Sequence, residues 1–330
     1  MILNDKTILI TGGTGSFGRK FTDYALNNYS PKKIIIFSRD EFKQFQMAEK
    51  FPDSKYPIRY FLGDVRDKER LLRAFENVDY VIHAAALKQV PALEYNPFEA
   101  VKTNILGTQN VVEAALDRGV KKVIALSTDK AVNPVNLYGA TKMAMEKIMV
   151  AANSYAGFKD IHFACVRYGN VVGSRGSVIP FFLKLAKEGV EKLPITDERM
   201  TRFWITLEEG VKLVINALEN AKGGEIFVPK IPSMKIIDLV KAIQPKSGYE
   251  IVGIRPGEKI HETLIHEDEG RNTYDEEDYY LIDARNKYMG SNDNDYKKHV
   301  PPGFVYRSDT NNKWLKVEEL KEIIEHINVE

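Results

Sequence analysis

The segment Thr11-Gly12-Gly13-Thr14-Gly15-Ser16-Phe17-Gly18 constrains this chain more than any other feature. It follows the apolar run 7–10 without a break and leads into a stretch with helical periodicity. The run reads as a buried strand, and the glycines fit the spacing G-x-x-G-x-x-G. Glycine permits the tight turn from strand to helix. It also lets backbone N–H groups approach a pyrophosphate, which then sits at the positive end of the helix. Glycine-rich loops are common, so the spacing alone says little; the strand before it and the helix after it make it a dinucleotide motif. Gly12, Thr14, Gly15, Ser16, Phe17 and Gly18 are therefore candidate cofactor contacts.

Further apolar runs follow at 33–37, 58–61, 80–85, 123–126 and 163–166. Amphipathic stretches separate them, such as 98–118, where apolar residues recur three and four apart. Strands alternating with helices predict an α/β fold, a Rossmann-type doubly wound parallel sheet covered on both faces. The second half is less regular. Residues 177–188, 207–221, 236–243 and 317–327 read as helices and 225–228 as a strand. The acidic, aromatic stretch 271–280 and the polar stretch 289–302 have no period and read as loops or irregular arms. The expected division is a dinucleotide-binding domain over 1–173, re-entered at about 203–228, with a smaller C-terminal substrate-binding domain from 174–202 and 229–330.

Composition narrows the partners. Lys plus Arg total 47 and Asp plus Glu total 46, a net charge of +1, so nothing calls for nucleic acid or an anionic membrane. No apolar run approaches the roughly 20 residues that span a bilayer. The N-terminal segment, interrupted by Asp5 and Lys6, does not read as a signal peptide. The one cysteine, Cys165, lies in an apolar run and reads as a buried strand residue. A lone thiol suits a reducing compartment, and the cytoplasm is the expected location. His261 and His266 do not share a helix face and have no Cys or His cluster beside them, so no metal site is expected.

The second apolar run ends in Ser38-Arg39-Asp40. An arginine there can clamp a ribose 2′-phosphate, with Ser38 and Lys43 adding donors, which favours NADP. Asp40 could instead hold a free ribose hydroxyl and keeps NAD open. Ser38 and Glu41 could also form a capping box for the next helix. Asp64 and Val65 suit an adenine contact, Ala84 and Ala85 give small residues where a cofactor passes close, and Lys88 can reach cofactor or substrate.

After the fifth run come Ser127-Thr128-Asp129-Lys130 and then Tyr138-Gly139-Ala140-Thr141-Lys142. Tyr138 and Lys142 are four apart and share a helix face. The lysine can lower the tyrosine pKa and bind the nicotinamide ribose, and the tyrosine can take a hydroxyl proton as hydride leaves the same carbon. Asp129-Lys130 could be only a polar turn, but beside Thr128 and Tyr138 it reads as an acid–base pair.

With these residues in place the chain resembles the inverting UDP-N-acetylglucosamine 4,6-dehydratases among the extended short-chain dehydrogenase/reductases. The resemblance is carried by Leu126 to Ala131, Tyr138 to Lys142 and Arg167 to Ser177. It continues through Ile195-Thr196-Asp197, Met200 to Trp204 and Ile254 to Lys259. It spans Thr7 to about Trp314 and is close to the branch that opens pseudaminic acid synthesis; a neighbouring branch feeds N-acetylfucosamine synthesis.

The resemblance implies oxidation at C4, removal of the acidified C5 proton, loss of the C6 hydroxyl as water and hydride return to C6. Lys130 would be the base at C5 and Asp129 the acid at C6. To be neutral, Lys130 would need its pKa lowered by burial and by Lys142. Asn170, Arg202, Arg255 and Glu258 would contact UDP-N-acetylglucosamine, Arg202 and Arg255 at its diphosphate and nucleoside, and Val171 would lie beside the nicotinamide. Relatives assemble into dimers or larger rings, so a homo-oligomer is expected. Two other readings stand: a UDP-sugar 4-epimerase, which has no use for the Asp129-Lys130 pair, and a non-catalytic module sensing NADPH, which would not need both Tyr138 and Lys142.

Overall fold

The computed structural model describes residues 1–173, 177–245, 248–285, 296 and 298–325. The first apolar run forms β1 (Thr7–Thr11), buried along its whole length. β2 (Lys33–Ser38), β3 (Ile58–Leu62), β4 (Tyr80–His83), β5 (Lys122–Thr128) and β6 (His162–Tyr168) follow. Their near-continuous Ile, Val and Phe content is what strands covered on both faces require. They pair in parallel in the order β3-β2-β1-β4-β5-β6, with Leu9 in register with Ile35 on one side and Val81 on the other. The order reverses between β1 and β4, so a crevice opens beyond the carboxyl ends of these strands. Cys165 lies fully buried in β6.

The sheet continues past β6. Strand Glu225–Pro229 pairs with it in parallel, and Tyr279–Asp283 and Thr273–Asp275 add antiparallel strands. Nine strands result among the described residues. This corrects the reading of 271–280 as an irregular arm, and it moves that stretch from the substrate-binding part into the large sheet. Aromatic residues on both sides of the hairpin hid its alternation. Tyr279 packs on Phe227 and Tyr280 on Phe304 and Tyr306, with ring centroids 5.4, 5.0 and 5.2 Å apart. Of the polar stretch, 289–295 and 297 lie outside the described residues, while His299 bridges to Tyr274.

Helices Val178–Lys187, Leu207–Asn220, Ile236–Ile243 and Val317–Glu325 occupy the expected places; the last two residues of the expected 317–327 helix lie outside the described residues. Leu207–Asn220 lies beside the helix Ser16–Asn28, linked by Lys20 to Glu208 at 2.9 Å. The other three enclose a second, smaller core that includes Phe182, Trp204, Leu239 and Leu320.

The stretch 98–118 is helical but not uniform: Pro97–Ala100 and Gly107–Arg118 flank a π-helical segment, Val101–Leu106. From that segment Asn104 bonds both backbone groups of Leu87, at 2.8 and 2.9 Å, and the Thr141 hydroxyl at 3.0 Å. The π segment therefore ties the loop after β4 to the helix that carries Tyr138. The Ser38–Glu41 capping box does not form. Asp40 caps the helix Glu41–Lys50 by accepting from Lys43 N at 2.9 Å, and Ser38 Oγ accepts from Gln44 Nε2 at 3.0 Å. Among the described residues no helix is long and apolar enough to cross a membrane.

Candidate active site

The helix Ser16–Asn28 begins at Gly15, which supplies no side-chain cap, so its first-turn N–H groups are open to an anion. Gly12 has φ +65°, and a β-carbon there would lie 2.9 Å from the Ala85 backbone. The loop can cross the end of β4 only as glycine. A β-carbon on Gly18 would collide with the Gly13 carbonyl. Gly18 thus packs the helix on its own loop and does not reach the cleft, a correction to its place among the cofactor contacts.

The crevice is a cleft of about 1080 Å³. All the other cofactor candidates line it, from Gly12 through Lys88 to Tyr138, Lys142 and Val171, together with Thr128, Lys130 and Asn170. Its wall also carries buried polar atoms with no protein partner, Thr103 Oγ1, Ser127 Oγ, Asn170 Oδ1 and Ser177 Oγ. Glycine backbone at one end and unsatisfied polar atoms at the other fit an extended dinucleotide with a polar substrate beside it. At the outer end Arg39 is half-exposed and 3.5 Å from Asp64. Asp64 is held chiefly by Arg66, at 2.7 Å. The Asp40 carboxylate is engaged by the helix cap and by Lys43 Nζ at 2.5 Å.

At the inner end, the helix Leu137–Tyr155 places Tyr138 and Lys142 on the cleft wall. Asn136 caps this helix by accepting from Gly139 N at 2.8 Å, and its amide donates to Gly257 O at 2.7 Å. One side chain therefore fixes both the start of the helix and the loop 255–259. Burial pushes the Tyr138 hydroxyl up to about 12; the charge of Lys130 and a hydrogen bond with Thr128 oppose the rise, and Asp129 adds to it. The cation that eases Tyr138 is thus Lys130, not Lys142 as the spacing suggested. Lys142 Nζ instead lies 3.0 Å from Met145 Sδ. Burial pushes its ammonium down to about 8 against the opposing pull of Cys165 and Glu146.

Lys130 stands in a buried cluster. Its Nζ is 3.1 Å from Asp129 Oδ1 and 3.3 Å from Glu262 Oε1. Burial disfavours its charge, but the two carboxylates outweigh burial and hold the ammonium above the ordinary lysine range. The expected lowering by burial and Lys142 is therefore corrected: Lys130 rests charged. Asp129 is fully buried behind the cleft wall, and its Oδ1 accepts from the Thr128 hydroxyl at 2.9 Å. Burial, partly offset by Lys130, raises its pKa. Glu262 goes the other way. Burial favours its acid form, yet Lys130, Arg202 and Lys259 keep it below the ordinary carboxylate range.

Glu262 escaped the sequence reading, because Ile260-His261-Glu262-Thr263 carries no spacing signal. Its only trace is its place just after the Arg255–Lys259 motif. Its backbone is pinned in both directions to Ser308, N to Oγ and O to N, each at 2.9 Å.

The other substrate candidates do not gather at the cleft. Arg202 is buried, with its guanidinium donating to the carbonyls of Thr201, Lys259 and Ile260 at 2.7, 2.9 and 3.0 Å. These bonds make it a clamp on the segment that carries Glu262. Arg255 is exposed, and its N–H donates to Glu258 Oε2 at 3.4 Å. Behind the tyrosine helix, buried Arg167 of β6 pairs through two nitrogens with Glu146, at 2.9 and 2.7 Å. It also pairs with Glu269, at 2.9 and 2.8 Å.

The chain is similar to known proteins over nearly its whole length. A UDP-N-acetylglucosamine 4,6-dehydratase (inverting) of Campylobacter jejuni subsp. jejuni serotype O:2 is 58% identical over 98% of this chain and 99% of its own. A UDP-glucose 4-epimerase of Rickettsia canadensis is 42% identical over 98% of this chain and 96% of its own. The X-ray structure of Pen from Bacillus thuringiensis superposes with TM-score 0.88 at 41% identity, over 98% of this chain and 99% of that one. Residues 8–284 match the family described as polysaccharide biosynthesis protein, and the chain belongs to that family.

Proposed function

We propose that this chain is a C5-inverting UDP-N-acetylglucosamine 4,6-dehydratase whose product is UDP-2-acetamido-2,6-dideoxy-β-L-arabino-hexos-4-ulose. The observation that carries this reading is the buried Asp129-Lys130-Glu262 cluster directly beside Tyr138. The Campylobacter relative's name agrees with it. The Rickettsia relative's name favours a 4-epimerase, but that reaction needs proton transfer only at the C4 hydroxyl. It leaves a buried acid, a lysine and a second carboxylate without work, and buried charges are costly to keep.

The cleft takes a nicotinamide dinucleotide, and Arg39 at the ribose end, with Asp40 occupied, favours NADP over NAD. A bound nicotinamide would supply hydride transfer between C4 and C6, with Gly12, Gly15 and Ser16 holding its pyrophosphate. Lys130 and Thr128 favour the phenolate of Tyr138, which accepts the C4 hydroxyl proton and becomes the phenol. Lys142 holds the ribose. Lys130, on the cleft wall, is the residue assigned to C5. Asp129 has the raised pKa of a proton donor and reaches the C6 hydroxyl through the Thr128 hydroxyl. Asn170 offers an unpartnered amide oxygen to the sugar, and exposed Arg255 offers its guanidinium to the nucleotide phosphates. The reaction starts a deoxy-amino-sugar route such as that to pseudaminic acid, in the cytoplasm where nucleotide sugars are made.

The test is NMR of the product formed from UDP-N-acetylglucosamine in D₂O. The dehydratase yields a 4-keto-6-deoxy L-sugar with deuterium at C5. A galacto-configured product without C5 deuterium would establish the epimerase instead.

A further inference from the structure

Glu262 belongs to no motif and does not line the cleft, yet its carboxylate is buried 3.3 Å from Lys130 Nζ. The other cations of the cluster are bonded elsewhere. Arg202 donates to the carbonyls of Thr201, Lys259 and Ile260, and it lies 3.7 Å from Glu262. Lys259 donates to the Val132 carbonyl. Glu262 Oε2 has no hydrogen-bond partner among the described residues. A buried charge without its pair is costly, so Glu262 and Lys130 fix one another as ions. The second carboxylate at Lys130, that of Asp129, stands 3.1 Å away. A proton donor to the C6 hydroxyl must be in its acid form, however, and then carries no charge. Glu262 is the anion that balances the lysine.

We infer that Glu262 is a positioning residue that holds Lys130 as an ammonium beside Tyr138 during C4 oxidation, so that proton removal at C5 begins only after the lysine has lost a proton to solvent. This deepens the dehydratase reading and rests on it. In the first step the ammonium favours the Tyr138 phenolate, which takes the C4 hydroxyl proton. A lysine neutral at that moment would withdraw this support, and burial would leave the tyrosine a phenol. An early amine gains nothing in return, because C5 has no acidic proton until C4 is a ketone. In the second step an Nζ–H bond breaks and the proton passes to water in the cleft, whose wall Lys130 forms. The amine's lone pair then takes the C5 proton and restores the ammonium. The C5–H electron pair stays on the substrate as the enolate of the C4 ketone. Asp129 gives its proton through Thr128 to the departing C6 hydroxyl, which leaves as water. Lys130 and Tyr138 each release one proton to solvent, and Asp129 and C5 each take one from it, so the cluster is reset at each turnover.

The charged and titratable groups facing Lys130 are Asp129, Glu262, Arg202, Lys259 and Tyr138. The carboxylates outweigh burial and hold the ammonium above the ordinary lysine range. The native amine is therefore scarce near neutral pH, and C5 proton removal quickens roughly tenfold per pH unit. Glu262→Gln takes away the balancing charge, while burial, Arg202 and Lys259 still disfavour the ammonium. The amine then forms at lower pH.

The experiment is a single turnover of UDP-N-acetylglucosamine tritiated at C5, from about pH 6 to 9, by the holoenzyme, Glu262→Gln and Glu262→Asp. Absorbance of the reduced dinucleotide times C4 oxidation, and tritium released to water times C5 proton removal. In the native enzyme the absorbance is expected to build up ahead of tritium release, with a lag that shortens as pH rises. Glu262→Gln is expected to shorten the lag at pH 7 by at least about tenfold, the effect of losing one opposite charge at this distance. At pH 9 its absorbance is expected to build up at least about threefold more slowly than in the native enzyme, because Tyr138 has lost its cation. Glu262→Asp, with its carboxylate drawn back by one methylene, is expected to fall between. Tritium release that keeps pace with absorbance in the native enzyme overturns the proposal. So does a native or longer lag in Glu262→Gln, or a native build-up there at pH 9. If Glu262→Gln does not fold, Glu262→Asp carries the test, and a native lag there overturns it. A native enzyme that oxidises C4 but never releases tritium removes the dehydratase reading and this inference with it. A native enzyme that makes the 4-keto product while Glu262→Gln keeps the native lag removes only the role of Glu262.

Discussion

Replacing Lys142 by methionine is expected to make the protein more stable while stopping its chemistry. Lys142 is 4% exposed and sits against Met145 Sδ at 3.0 Å, so a methionine side chain of similar length fits the site. Burial lowers its pKa from 10.5 to about 8. A lysine with a depressed folded-state pKa opposes folding wherever it is protonated in both states. The penalty is therefore full below about pH 8 and fades as pH rises towards the unfolded value of 10.5. At roughly 1.4 kcal/mol per pH unit, the shift amounts to about 3 kcal/mol at pH 7 and about 2 kcal/mol at pH 9. With an unfolding entropy of about 2.1 cal/mol/K per residue, 3 kcal/mol corresponds to roughly 4 °C in Tm for a chain of this length. Denaturant titrations of native and Lys142→Met protein at pH 7, 9 and 10.5, without added dinucleotide, measure the difference. A methionine variant less stable at pH 7, or a gain that does not shrink as pH rises, would refute the reasoning.

Three other outcomes are expected. Arg39→Ala weakens NADP at least about tenfold more than NAD, because one charge-assisted bond contributes about 1.5–3 kcal/mol; equal losses by calorimetry contradict the 2′-phosphate assignment. Tyr138→Phe keeps UDP-N-acetylglucosamine affinity but loses C4 oxidation by at least about a hundredfold, the scale of general-base catalysis; a native single-turnover rate removes the tyrosine from its role. Glu146→Gln leaves buried Arg167 short of one carboxylate and lowers stability by about 3 kcal/mol; a loss under about 1 kcal/mol means that Glu269 alone satisfies the guanidinium.

The parallel sheet was legible because each strand, covered on both faces, announces itself as an unbroken apolar run. The cofactor end of the site was legible because a glycine loop needs its residues contiguous in sequence. Thr128 to Lys130 and Tyr138 to Lys142 were legible for the same reason: each is a local group on one strand end or one helix face. Glu262 was not, because it reaches Lys130 from a distant segment that Arg202 clamps and Ser308 pins. The hairpin within 273–283 was hidden by aromatic rings on both its faces. The charge of Lys130 could not be read from its neighbours in sequence either. Asp129 supplies one carboxylate locally, but the second arrives from the far half of the chain.

The Arg167 triad also bears on how the chain is made. Glu146 and Arg167 are made by about the midpoint of synthesis, but Glu269 follows Arg167 by 102 residues. At roughly 5–20 residues per second that is an interval of about 5–20 s. Throughout it the nascent dinucleotide-binding half holds a guanidinium that is buried in the finished fold and is short of its second carboxylate. The early part of the chain therefore docks its tyrosine helix only provisionally. Final anchoring waits for the segment that also carries Glu262, so the residues for binding and for chemistry lock into place together, late in translation.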